Sequence, residues 1–237
     1  MQFKEKLTTE ILPRLIDISA VQAFHGIKEI DELISYAKTY NFISVHTLPS
    51  WTSYLCGQLK DSPDILVGAP VGFPSGGSKT DIKIQEALQL IKDGVQEMDM
   101  VINIGKMKSG DFNYVREEIK RIREISLDIP LKVILEVHYL SEDLVKRGCE
   151  ICIEEDIDFI KTGTGWAPSG ATIDIIKMIK GFVGNSIKIK ASGGIRNYAT
   201  LETMYNLGAD RFGINVDTSI KILEMSKAMK KEKDGVN

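Results

Sequence analysis

Eight times along the chain, a short apolar run is followed by a longer stretch of mixed polarity. The runs of strand type cover residues 15–19, 42–46, 65–71, 98–103, 132–137, 159–162, 187–191 and 211–214. Between them lie segments with helical spacing, among them 79–93, 113–125, 142–155, 173–180 and 199–207, and a final one at about 218–229. Strands joined by helical crossovers pair in parallel, and parallel strands covered on both faces read as near-continuous Val, Ile and Met. Eight such units in 237 residues is about 30 residues each, the size of a (β/α)8 TIM barrel. A doubly wound sheet would carry a glycine-rich turn after its first strand, and Ile18-Ser19-Ala20 has none. Boundary signals agree: Asp111, Ser141 and Asn197 stand where helix N-caps belong, and Gly208 follows the last periodic residue of its helix. With no linker or low-complexity tract, residues 1–237 are expected to form a single α/β domain. Residues 1–10 would be an N-terminal extension and 230–237 a frayed tail.

Composition removes several function classes. Thirty basic against 33 acidic residues give a net charge of -3, which argues against a nucleic-acid partner. No apolar run reaches the ~18 residues of a membrane span. The first ten residues mix acids and bases and do not read as a secretion signal. Three cysteines give no disulfide framework, and Cys149 and Cys152 lie within a helical pattern that also places Leu144 and Ile153 on their face. That pair reads as two core thiols. A cytoplasmic protein is the expectation.

The informative residues are charges inside strands that otherwise read as core, because Lys and Asp are seldom buried without a partner or a function. Lys161 ends the run Asp158-Phe159-Ile160-Lys161 and precedes Thr162-Gly163-Thr164-Gly165. Lys190 stands in Ile187-Lys188-Ile189-Lys190-Ala191-Ser192-Gly193-Gly194. Lys188 shares its face by alternation, and Lys190 is preferred because it lies nearer the rim where barrel active sites form. Asp99 interrupts Glu97-Met98-Asp99-Met100, and Glu136 and His138 close the fifth run. Two lysines on adjacent strands lower each other's affinity for a proton, and an unprotonated lysine is the nucleophile of Schiff-base chemistry. A carboxylate beside them can relay protons. Gly193 and Gly194, and less specifically Gly163 and Gly165, offer backbone N–H groups that could approach a phosphate closely.

Four segments carry a resemblance to a known family. They are Glu97-Met98-Asp99-Met100-Val101-Ile102-Asn103-Ile104-Gly105, Lys132-Val133-Ile134-Leu135-Glu136, Phe159-Ile160-Lys161-Thr162-Gly163-Thr164-Gly165 and Lys190-Ala191-Ser192-Gly193-Gly194-Ile195-Arg196. In this order they resemble the deoxyribose-phosphate aldolase family, class I aldolases on a TIM barrel, over about residues 15–222. The resemblance implies reversible cleavage of 2-deoxyribose 5-phosphate to acetaldehyde and glyceraldehyde 3-phosphate, with no metal or organic cofactor. It implies Lys161 as the Schiff-base lysine and Asp99 and Lys190 as its proton relay. Asp17, Ser19, Glu136, Thr162, Gly165, Gly193, Gly194, Gly213 and Asn215 become candidates for substrate and phosphate binding. A homo-oligomer is left open, as are the roles of His25, His138 and Lys188.

Several positions depart from the family pattern. The first strand reads Ile16-Asp17-Ile18-Ser19 and lacks the usual His, residues 20–26 do not match, and the second strand ends His46-Thr47-Leu48-Pro49. The eighth ends Gly213-Ile214-Asn215-Val216-Asp217, where the family carries a pair of hydroxyl residues for phosphate. A family aldolase for another sugar phosphate or related carbonyl compound is therefore the competing reading. A non-catalytic binding or assembly barrel stands further off.

Overall fold

The computed structural model describes residues 6–234, with side chains described up to Lys230. A 3-10 turn at Leu12–Leu15 leads into β1 (Ile16–Ala20), α1 (Ile27–Tyr40), β2 (Ser44–Thr47), α2 (Thr52–Leu59), β3 (Leu66–Val71) and α3 (Thr80–Asp93). Then come β4 (Glu97–Val101), the short α4 (Ile104–Lys108), α5 (Phe112–Ile125), β5 (Leu131–Ile134), α6 (Glu142–Glu154) and β6 (Phe159–Lys161). The chain finishes with α7 (Ile173–Val183), β7 (Lys188–Ser192), α8 (Tyr198–Asn206), β8 (Arg211–Asn215) and α9 (Val216–Asp234). All neighbouring strands pair in parallel, and β8 pairs with β1, so the sheet closes into an eight-stranded barrel.

Alternation along each strand divides the residues between two environments. Ile18, Val45, Val67, Met98, Val133, Ile160, Ile189 and Phe212 are buried in the apolar core that joins the sheet to its helices. The other face points into the barrel. There the register sets Asp17 beside Ser44 and Gly213, Asp99 beside Lys132, and Lys161 beside Lys190. Barrel interiors are ordinarily filled by bulky branched residues. This one is filled largely by charge.

The expected caps are in place: Asp111, Ser141 and Asn197 accept hydrogen bonds from the backbone N–H of Tyr114, Leu144 and Thr200. Gly208 turns the chain with φ +114°. On α6 the buried positions include Val145, Gly148, Cys149 and Cys152, while Leu144 and Ile153 are half-buried. Cys149 and Cys152 are free thiols, and burial pushes the Cys149 pKa up to about 12 and that of Cys152 up as well.

Most strand boundaries shift by one to three residues from the sequence reading, and some shifts have a clear cause. β5 stops at Ile134, because Glu136 takes a left-handed φ of +53° that turns the chain out of the sheet. β4 stops at Val101, because Asn103 caps α4 through the Lys106 N–H. Residues 230–234 continue α9 instead of fraying; 235–237, like residues 1–5 of the extension, lie outside the described residues. Among the described residues, no helix is long and apolar enough to cross a membrane.

Candidate active site

β6 and β7 pair so that Lys161 and Lys190 stand side by side, and Asp99 reaches both from β4. Each lysine Nζ lies 2.7 Å from Asp99 Oδ2. Asp99 and Lys190 are inaccessible to solvent, whereas the Lys161 side chain keeps about a tenth of its surface exposed and lines a narrow cavity next to the larger pocket described below. The three residues singled out in the sequence therefore meet at one carboxylate oxygen.

Beneath them is a layer that sequence reasoning did not single out. Lys132 Nζ sits 2.9 Å from Glu97 Oε2 and 3.2 Å from Asp99 Oδ1. Arg211 donates to Asp17 Oδ1 through Nε (2.7 Å) and Nη2, and its Nη2 also reaches Glu97 Oε1 at 3.2 Å. Lys190 Nζ lies 2.5 Å from Asp17 Oδ2. Ser44 Oγ donates to Glu97 Oε1 at 2.6 Å, and His46 Nε2 lies 3.0 Å from the same oxygen. Gly68 leaves room for that imidazole, since a Cβ there would fall 2.2 Å from His46 Cε1.

The electrostatics follow from which charges have partners. Asp17, Glu97 and Asp99 face Lys132, Lys190 and Arg211, three acids against three cations, so a protonated Lys161 is one positive charge in excess. Burial lowers its pKa, the Lys190 and Lys132 ammonium groups lower it further, and Asp99 only partly opposes them; the result is about 8. All three carboxylates are held below their ordinary values: burial opposes their ionisation, but the surrounding cations outweigh it. Burial would likewise lower Lys132, yet Asp99, Glu97 and Asp17 hold its pKa above the ordinary value. Asp17, His46 and Glu97 bring ligand atoms within 4.8 Å of one another, close enough for a metal ion. Arg211, Lys132 and Lys190 already engage those carboxylates, so a metal would have to displace them.

Above Lys161 the barrel opens into a pocket of about 550 Å³. Ser19, Gly165, Gly193, Gly194, Gly213 and Asn215 line it, as the sequence suggested. Gly193 and Gly194 have φ of +85° and +86°, a conformation that leaves their N–H groups unshielded by a side chain. The unmatched segment 20–26 also reaches this pocket through Val21, Gln22 and His25, and Asp217 and Arg196 stand at its wall.

Three candidates take other positions. Asp17 is locked to Arg211 and Lys190 at the floor, where it supports Lys190. Thr162 is buried, donating to Ser192 O at 2.8 Å and accepting from Ser192 N at 2.9 Å, so it fastens β6 to β7. Glu136 turns its buried carboxylate onto the N–H and hydroxyl of Thr164, which spends its acceptors on the loop after β6 and suits it poorly to an anionic ligand. His138 Nδ1 contacts Ser169 Oγ at 2.5 Å away from the lysines, and Lys188 is exposed over the Phe159 ring.

This arrangement can form an imine at Lys161 and move protons through Asp99 and Lys190. In sequence and fold the chain is similar to known aldolases. The family model described as DeoC/LacD family aldolase matches residues 17–228. A deoxyribose-phosphate aldolase of Klebsiella pneumoniae is 46% identical over 91% of this chain and 88% of its own. The one from Rhizobium meliloti is 45% identical over 92% and 88%. A solved structure described as "QR15, an Aldolase" superposes with a TM-score of 0.85 at 36% identity, covering 93% of this chain and 97% of that one. Fold, lysine geometry and relatives agree, and the chain belongs to the DeoC/LacD aldolase family.

Proposed function

We propose that this protein is a class I aldolase that reversibly cleaves 2-deoxy-D-ribose 5-phosphate to acetaldehyde and D-glyceraldehyde 3-phosphate. The observation that carries the reading is Lys161. It is the one surplus cation in a buried, otherwise balanced cluster, and it is open to the pocket. With its pKa brought to about 8, a usable fraction is free amine near neutrality.

In the cleavage direction, the Lys161 amine adds to the C1 aldehyde of the open-chain sugar and gives a carbinolamine. Protonation of its hydroxyl releases water and leaves an iminium. The C3 hydroxyl then gives up its proton, the C2–C3 bond breaks, and its electron pair moves into the iminium to form an enamine. Glyceraldehyde 3-phosphate departs. The enamine takes a proton at C2, and water hydrolyses the resulting iminium, freeing acetaldehyde and the lysine. Lys190 and Asp99 are the proton carriers, sharing one oxygen with Lys161. The iminium is the electron sink, so the steps call for no metal or organic cofactor. The N–H groups of Gly165, Gly193 and Gly194 receive the phosphate. We read the chain as one barrel domain acting in the cytoplasm on a small diffusible substrate.

One feature favours a related sugar phosphate as second reading: Asp217 brings a carboxylate to the wall of the pocket, and Asn215 Oδ1 is spent on the Thr218 N–H. Reductive trapping tests both. The protein is incubated with acetaldehyde or with deoxyribose 5-phosphate, reduced with borohydride, and mapped by peptide mass spectrometry. Adducts on Lys161 with both compounds are expected. An adduct with acetaldehyde alone moves the assignment to another sugar, and an adduct on Lys190 inverts the roles of the two lysines.

A further inference from the structure

Resting on the aldolase reading of Lys161, we propose that Trp166 determines which carbonyl donor can be carried on that lysine, by walling off the slot into which it opens.

Three cavities meet at Thr164, which lines all of them. The first is the open pocket already described. The second is a narrow slot of about 30 Å³ around Lys161, Asp99 and Lys190, bounded by Pro70, Phe73 and Val21. The third is a surface groove of about 450 Å³ lined by Ser75, Ile104, Lys108, Tyr139, Trp166 and Ala167. Trp166 stands between slot and groove. Its ring packs edge-on against Phe73 of the slot, with centroids 5.8 Å apart. Its indole Nε1–H donates to the carbonyl oxygen of Val21, also of the slot, at 3.2 Å. Its backbone N–H donates to Thr164 Oγ1 at 3.0 Å. The indole thus straps the loop after β6 to the loops after β1 and β3.

The slot is small enough for size to matter. The cavity around Lys161 is about 30 Å³ against about 450 Å³ for the groove, so it suits a donor of two carbons. Those are the two carbons that acetaldehyde leaves on Lys161 once its oxygen has departed as water. The open pocket adjoins the slot on its Ser19, Thr164 and Gly213 side and takes the acceptor half of the substrate; a donor substituent directed to the other side meets the Phe73 ring, which Trp166 backs. With the indole gone, Phe73 loses the ring that backs it, and the groove beyond has volume for such substituents.

The test is a competition. Equimolar acetaldehyde and cyclopentanone are offered in the presence of cyanoborohydride, and the ratio of the two adducts on Lys161 is read by peptide mass spectrometry. The wild type is expected to carry the acetaldehyde adduct almost alone. Trp166→Ala is expected to raise the cyclopentanone share about tenfold or more, the scale on which a pocket discriminates by size. Phe73→Ala, which thins the wall from its other side, is expected to move the ratio the same way. Trp166→Phe keeps a ring there and is expected to keep the wild-type ratio. An unchanged ratio in both alanine variants, with the acetaldehyde adduct still forming, overturns the inference alone. So does a rise in Trp166→Phe as large as in Trp166→Ala, because ring bulk would then not be the determinant. Absence of any Lys161 adduct in the wild type overturns the aldolase reading, and this inference with it.

Discussion

Replacing Lys190 with Met should turn Lys161 into a more ordinary lysine. With a pKa of about 8, roughly a tenth of Lys161 is free amine at pH 7. At an ordinary value near 10.5 the fraction would be about 300-fold smaller. The two Nζ atoms each lie 2.7 Å from one Asp99 oxygen, so they are at most about 5.4 Å apart. Two unit charges at that separation, with an effective dielectric constant near 20, repel by about 3 kcal/mol, or roughly 2 pKa units. Removing Lys190 lifts that repulsion and leaves Asp99 with one fewer competitor for its Oδ2, so both effects raise the Lys161 pKa. The assay is the rate of acetaldehyde capture by cyanoborohydride as a function of pH, each curve scaled to its own plateau, because Lys190 also supplies protons to the carbinolamine while the midpoint follows the free amine. The wild-type rate should climb about tenfold per pH unit below 8 and level off above it. In Lys190→Met the curve should move one to two units alkaline: about 10- to 100-fold slower at pH 7, and close to wild type at pH 10. Superimposed curves would refute the reasoning, as would a wild-type midpoint near 10.5.

Three further outcomes follow from the same geometry. Lys161→Met should abolish adduct formation without loss of stability. Its folded-state pKa lies below the ordinary value, so the penalty is fully present below pH 8, is relieved as pH rises toward 10.5, and amounts to at most about 3 kcal/mol. The variant's thermal midpoint should therefore equal or exceed that of the wild type at pH 7, with the advantage narrowing toward pH 10.5; a lower midpoint at pH 7 would count against the excess-charge argument. Gly68→Ala drives a methyl into His46 and should cost about 1–3 kcal/mol in urea denaturation, whereas an unchanged midpoint would mean the imidazole is free to move. Cys149 and Cys152, buried with raised pKa values, should resist a thiol reagent at pH 8 in the native protein and react on unfolding, as mass mapping of the labelled peptides would reveal.

The site was only partly legible in the sequence, and particular residues explain why. Lys161, Lys190 and Asp99 could be found because each is a charge inside an apolar strand run, Lys161 at its C-terminal end and the other two at mid-strand. Glu97, Lys132 and Arg211 stand at or next to the starts of their strands. A charge there reads as a solvent-exposed boundary, and only the alternation linking Glu97 to Asp99 hinted otherwise. His46 lay in a segment noted mainly for departing from the family pattern. Glu136 and Thr162 were read inside strand runs, whereas both stand just past their strands, where the direction of a side chain depends on a backbone turn such as the left-handed Glu136. Trp166 gave no periodic signal, because its role depends on Val21 and Phe73, far away in the chain.

What the sequence determined by itself was local and periodic. The eight strand–helix alternations, the caps at Asp111, Ser141 and Asn197, and the lysines and aspartate inside apolar runs all follow from near neighbours along the chain. Barrel closure decided the rest. Lys188 and Lys190 share a strand face, yet one is exposed and the other buried against two carboxylates, because depth along the barrel axis is set by register with neighbouring strands. The balance of charge that leaves Lys161 in excess sums over inward residues of six strands. It exists only once β8 has paired with β1 and the interior has lost its water.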